Sequence, residues 1–218
     1  MAEFASDTFT EGSDTALSSH TPDVGGSWVH NTSSLTVIAA TDHVTGDSAA
    51  ATATAYIDSA PGDNDLDISC DIDTNSQAQK RGGVVAYAAV GASTWDGYVG
   101  FNVNGTRRLD EVLNNAFSTL ASESQANENA TFLLQTRPAH GSVKQELFVA
   151  GVSELQADDA TYATFARAGI ICRSGEILDN FSASDGTAVG GATVPLFRNA
   201  SLSGLGSGGP LFHNPLAA

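Results

Sequence analysis

The residues with the most chemical capacity in this chain are its carboxylates. Twenty-five Asp and Glu stand against nine Lys and Arg, and the segment PGDNDLDISCDID spaces Asp63, Asp65 and Asp67 as D-x-D-x-D, the opening of a calcium-binding loop. The match then fails: the position that needs Gly holds Ile68 and the one that needs a bidentate Glu holds Thr74, which excludes an EF-hand. Beyond Asp65 the alternation LDISCDID sends Leu66, Ile68, Cys70 and Ile72 to one side and Asp67, Ser69, Asp71 and Asp73 to the other. Asp67, Asp71 and Asp73 therefore read as the solvated acidic face of a half-buried strand.

Other chemistries find less material. His20, His30, His43, His140 and His213 show no i, i+2 or i, i+4 pairing and no C-x-x-C neighbour, so a transition-metal site is weakly supported. No G-x-S-x-G elbow occurs in a strand-turn-helix setting. A sugar platform needs an aromatic face beside hydrogen-bonding groups, and STWDGY offers Trp95 and Tyr98 beside Asp96. The plainer alternative folds that Trp back onto a sheet. Cys70 and Cys172, each inside an apolar alternating run, read as buried free thiols, with a disulfide left open.

These residues must be carried by strands. Short segments recur at turn-bounded intervals: LTVIAATD, ATATAYID, LDISCDID, GGVVAYAAV, GYVGFNVNG, TRRLDEVLN, ATFLLQTRP, SVKQELFVAG, ARAGIICRS and EILDNFSAS, preceded by DTFT at residues 7–10. That makes about eleven or twelve strands by pattern. The best helical candidate, residues 113–129, is rich in Asn and Ser and reads equally as a loop. The expectation is an all-β, antiparallel two-sheet jelly-roll sandwich over residues 1–187, with a Gly-rich C-terminal arm over 188–218. In the segment LSSHTPDVGGSWV the Pro and Gly residues supply a corner between sheets, and Trp28 plugs the core beside it.

The formal net charge of −16 argues against nucleic acid and anionic membranes as partners, because both are held by clustered cations. MAEFASDTF has neither a basic nor an apolar leader region, and no apolar run approaches about 18 residues, so export by a cleaved signal is not expected. In the arm, PLFRN at 195–199 returns as PLFHN at 210–214, which makes Leu196, Phe197, Leu211 and Phe212 candidate assembly pegs between flexible spacers, or apolar groups that pack on their own sandwich.

Asp7, Phe9, Leu17, His20, Pro22, Gly25, Gly26 and Trp28 at the start, with Leu178, Asp179 and Phe181 at the close, form a pattern that resembles the concanavalin A-like, laminin-G-like jelly rolls of carbohydrate-binding and phage structural proteins. The resemblance covers residues 5–185. It implies that the first and last strands lie side by side, and that a structural calcium ion, the one cofactor it admits, would sit near their junction on Asp7, Asp14 and Asp179. Hydrolases of this kind carry E-x-D-x-x-E on one strand; here Glu111, Glu146, Glu154 and Glu176 are scattered singly, and adjacent Asp110 and Glu111 would face opposite sides. The resemblance therefore implies a noncatalytic virion surface protein, a capsid decoration or tail-associated subunit made in the host cytoplasm. Its partners would be other virion subunits and copies of itself. The alternative is a carbohydrate-binding or adhesin module that recognises host glycans. If the arm drives self-assembly, light scattering should give an oligomer for the full chain and a monomer for a chain ending at Gly186; two monomers would mean that the pegs pack on their own sandwich or await a pre-existing lattice.

Overall fold

The computed structural model describes residues 2–47, 52–73, 81–125, 129–138 and 144–186. The chain divides into two units, Met1–Ala188 and Val189–Ala218. Leu196, Phe197, Leu211 and Phe212 lie outside the described residues.

In chain order the strands are β1 (Glu3–Asp7), β2 (Thr15–Ala16), β3 (Trp28–His30), β4 (Leu35–Ile38), β5 (His43–Gly46), β6 (Ala53–Ile57), β7 (Leu66–Asp73) and β8 (Arg81–Val90). They continue as β9 (Trp95–Val103), β10 (Thr106–Leu113), β11 (Ala116–Ser124), β12 (Asn129–Thr136), β13 (Gln145–Val149), β14 (Val152–Ala157), β15 (Arg167–Cys172) and β16 (Ile177–Asp185). One sheet runs β14-β13-β12-β7-β16-β5-β4-β2, with β1 also on β16; the other runs β11-β10-β9-β8-β15-β6-β3. Among the described residues every strand pairing is antiparallel. The structure is thus the expected all-β sandwich.

Local chemistry explains the hairpins. Asn104 and Gly105 join β9 to β10, Asn114 and Asn115 join β10 to β11, and Ala150 and Gly151 join β13 to β14, every one of them at positive φ. Paired positive φ values are the signature of the two-residue turn whose twist matches the flanking strands. The stretch read as helix or loop from 113 onward is strand β11 instead. Its residues are exposed or half-buried throughout, because it is the edge of its sheet, so no apolar alternation marks it.

The core lies between the sheets. Ile68, Cys70, Phe132, Leu134 and Leu147 of the nine-stranded sheet meet Val84, Ala86, Tyr98, Leu109 and Ile170 of the seven-stranded one. Alternate residues of the seven-stranded sheet, Val85, Tyr87, Trp95, Val99, Phe101, Val112 and Ile171, form a second apolar cluster on its other face. Cys70 and Cys172 are both buried and free, and burial pushes both thiols up.

β1 and β16 pair with Asp7 opposite Phe181, so the first and last strands do lie together. The strand ends at Asp7, earlier than the DTFT reading, because Phe9 turns the chain with φ of 51°. Asp7 is 1% exposed. Its carboxylate accepts hydrogen bonds from the Phe9 amide at 2.8 Å, from Trp28 Nε1 at 2.5 Å and from His20 Nε2 at 2.8 Å. His20 Nδ1 in turn meets Glu11 Oε1 at 2.6 Å. Trp28 packs edge-on to Phe181 with centroids 5.2 Å apart. At the corner before Trp28, Gly25 has φ of 108° and a Cβ on Gly26 would lie 2.2 Å from the Asp58 carbonyl oxygen, so the TPDVGG turn admits no larger residue there.

Burial alone would discharge the His20 ring, but the hydrogen bonds and charges of Asp7 and Glu11 outweigh it and hold His20 above its ordinary value. A folded-state pKa above the unfolded one means stability that is fully present below pH about 6.5 and lost as pH rises through the folded value. Urea denaturation should therefore show stability falling across that window, and His20→Asn should flatten the fall. An unchanged pH profile in His20→Asn would show that the imidazolium is not the source.

Candidate functional site

Trp95, Asp96 and Tyr98 do not form a stacking platform. Trp95 is 2% exposed and Tyr98 0%. The two rings belong to opposite faces of the seven-stranded sheet, Trp95 in its outer cluster and Tyr98 in the inter-sheet core. The cause is strand geometry, since residues an odd number apart on an extended strand point opposite ways. Trp95 packs edge-on to Tyr87 at 5.1 Å and to Phe117 at 5.9 Å. The Tyr98 hydroxyl donates to Asp159, and its ring meets Tyr162 at 5.3 Å. Asp96 is engaged at the strand end, where Oδ1 accepts the Asn114 amide at 2.6 Å.

The calcium trio does not assemble either. Asp7 is turned inward and occupied by His20, Trp28 and the Phe9 amide. Asp14 accepts the Ala39 amide at 3.0 Å, and Asp179 faces Asp71 across β16 and β7. Among the described residues no group of three or more His, Cys, Asp or Glu could hold a metal ion. The D-x-D-x-D string is likewise spent on its own turn: Asp63 Oδ1 accepts the Asn64 and Asp65 amides at 2.6 and 3.4 Å, and Asp67 pairs with Arg137.

A different set of residues does converge. β12, β7 and β16 lie side by side, and their register places Thr131, Asp71 and Asp179 in one row across the sheet. Asn129, Asp73 and Ile177 form the next row. Directly opposed residues share a face, and so do residues two apart. The six side chains therefore make a grid of roughly 5 Å between strands and 7 Å between rows. They line a hollow of about 380 Å³ together with Ile72 and Ala130.

The grid is braced from within. Thr131 Oγ1 donates to Asp71 Oδ1. Asn180, at the bulge between Asp179 and Ser182 with φ of 50°, donates from Nδ2 to Asp71 Oδ2 at 2.9 Å and to Asp179 Oδ2 at 3.3 Å. Its own amide donates to Asp179 Oδ1 at 2.7 Å. Partial burial, followed by the charges of Asp71 and Asp42, raises the Asp179 carboxyl against the Asn180 amide and His43. The surface so built offers carboxylate acceptors, an amide, a hydroxyl and one apolar patch at Ile177. That combination suits vicinal hydroxyls and disfavours anions.

The sequence had marked Asp71 and Asp73 only as a solvated face and had given Asn129 and Thr131 no role. Their partners stand more than fifty residues away along the chain, and the strand register that unites them leaves no local signal.

No protein-family model matches the chain, and no curated protein matches it in sequence. Solved structures do match in fold. A carbohydrate-binding module, CBM66, from Bacillus subtilis superposes with TM-score 0.51 at 13% identity, over 82% of this chain and 98% of its own. A Bacillus subtilis protein with a galectin-like fold gives 0.57 at 11% identity, over 85% and 96%. The Emp46p carbohydrate recognition domain in its potassium-bound form gives 0.53 at 10%, over 74% and 89%. The chain therefore has the jelly-roll sandwich fold of concanavalin A-like and galectin-like domains.

With its ring buried between Tyr87 and Phe117, Trp95 should behave as a packing residue. Trp95→Ala is expected to lower stability by about 3–5 kcal/mol in urea denaturation. A loss below about 1 kcal/mol would show that the ring is not held in the cluster.

Proposed function

We propose that this chain is a noncatalytic saccharide-binding module that holds a neutral, hydroxyl-rich glycan in the hollow between β7, β12 and β16. The observation that carries this reading is the two-row grid of Thr131, Asp71, Asp179, Asn129, Asp73 and Ile177, braced by Asn180. Carboxylates fixed in place accept from adjacent sugar hydroxyls without reorganising, and charge-assisted hydrogen bonds of this kind are worth about 1.5–3 kcal/mol each. Asp71, Asp73 and Asp179 in a chain of net charge −16 would repel uronates and sulfates from this face. A hollow of about 380 Å³ accommodates part of a saccharide and leaves the rest in solvent.

The fold adds weight to this reading, since two of the similar structures are a carbohydrate-binding module and a carbohydrate recognition domain. The virion-surface reading has no comparable support. It came from the resemblance, the missing catalytic strings and leader, and the arm, and of the arm the pegs Leu196, Phe197, Leu211 and Phe212 lie outside the described residues.

The test is a screen of the full chain against neutral polysaccharides, followed by titration of the best ligand. Asp73→Asn combined with Asn129→Ala should weaken binding at least about tenfold, the equivalent of one lost charge-assisted bond. Thermal unfolding should stay close to wild type, because neither side chain belongs to the core. Saturable binding that survives the double substitution would move the site elsewhere, and no saturable binding to any neutral polysaccharide would overturn the reading.

A further inference from the structure

The cations of this acidic chain are not spread evenly. Arg81, at the start of β8, lies with its guanidinium carbon 5.1 Å from the Phe117 ring centroid and 5.9 Å from that of Phe101. Arg108 of β10 sits over the same Phe101 ring at 5.4 Å. Two guanidinium groups thus share one aromatic floor on the outer face of the seven-stranded sheet.

Their circumstances differ. Arg108 is matched: Nε and Nη2 both donate to the Asp110 carboxylate, the first at 3.1 Å, and Nη2 also donates to Thr119 Oγ1. Arg81 has no ion-pair partner among the described residues, although the chain holds 25 Asp and Glu. It is half-buried, and burial, Arg108 and Arg173 together lower its pKa against the smaller pull of Asp110. A partly desolvated cation beside other cations costs stability unless an anion arrives to compensate it. The neighbouring strand supplies more than charge. Cross-strand pairing sets Ser122 opposite Arg108 and Thr119 opposite Asp110, which places both hydroxyl residues on the arginine face, and both are exposed.

We propose that Arg81 and Arg108 form a recognition site for a singly charged, hydroxylated carboxylate, such as a uronic acid residue of a glycan. Arg81 takes the carboxylate through its planar fork, as Arg108 already takes that of Asp110. Phe101 and Phe117 hold the guanidinium groups in place, and Thr119 and Ser122 offer partners to the ring hydroxyls. A net charge of −16 penalises a doubly charged phosphate or a polyanion more than a singly charged carboxylate. This site lies on the opposite sheet from the neutral-glycan hollow and stands independently of it.

The experiment titrates the full chain with glucuronate, galacturonate, glucose and inorganic sulfate by calorimetry. At least one uronate should bind at least tenfold more tightly than glucose and more tightly than sulfate. Arg81→Gln should remove at least a factor of ten in its affinity, and Arg81→Lys should restore only part of it. Near-UV circular dichroism of both Arg81 variants checks that the fold survives. Equal binding of uronates and glucose would overturn the proposal, as would sulfate binding as tight as the better uronate or full uronate affinity in Arg81→Gln.

Discussion

The sandwich hangs on the carboxylate of Asp7. One buried side chain accepts from the backbone of Phe9, the imidazole of His20 and the indole of Trp28, and so ties the first strand, the loop that leaves it and the first strand of the second sheet to one point. Breaking such a buried arrangement by removing one partner typically costs several kcal/mol, because the others are left without water or a substitute. Trp28, held by that bond, packs on Phe181 of the last strand, and Phe181 is the residue opposite Asp7 in the sheet. The beginning and the end of the domain therefore lock one another.

The candidate site follows from this closure. β16 occupies its place between β7 and β1 because its inward residues Leu178, Phe181 and Ala183 are core. Only with β16 there does Asp179 come to face Asp71, and only the bulge after Asp179 lets Asn180 reach both carboxylates. Two like charges opposed on a sheet are unfavourable in themselves. The Asn180 amide offsets that repulsion and fixes both acceptors in a defined direction.

Much of the fold could be read from the sequence, and far less of the site. LDISCDID is legible as β7 to the residue, because a half-buried strand in the middle of a sheet must alternate. The corner at TPDVGG and the burial of Trp28 are legible because Gly and Pro report backbone geometry directly. β11 was illegible for the converse reason: an edge strand with no fully buried residue has no alternation to show. Trp95 and Tyr98 misled because residue type alone does not say which face of a strand is apolar, and here both faces of the seven-stranded sheet are. The rows Thr131, Asp71, Asp179 and Asn129, Asp73, Ile177 are products of register between three strands far apart in the chain, a quantity that a single sequence carries only implicitly.

The pairing of β1 with β16 also decides how the domain bears load. Glu3 stands opposite Ser184, and the Asp185 amide donates to the Ala2 carbonyl at 2.9 Å, so residues 2 and 186 leave the sheet at the same end of an antiparallel pair. Tension applied between those two points does not shear the ladder as a whole. It peels it, loading the Asp185 bond first and each following bond in turn until the pull reaches Asp7. The sandwich is thus a zipper toward force applied between residues 2 and 186, with the buried Asp7 cluster as its stop.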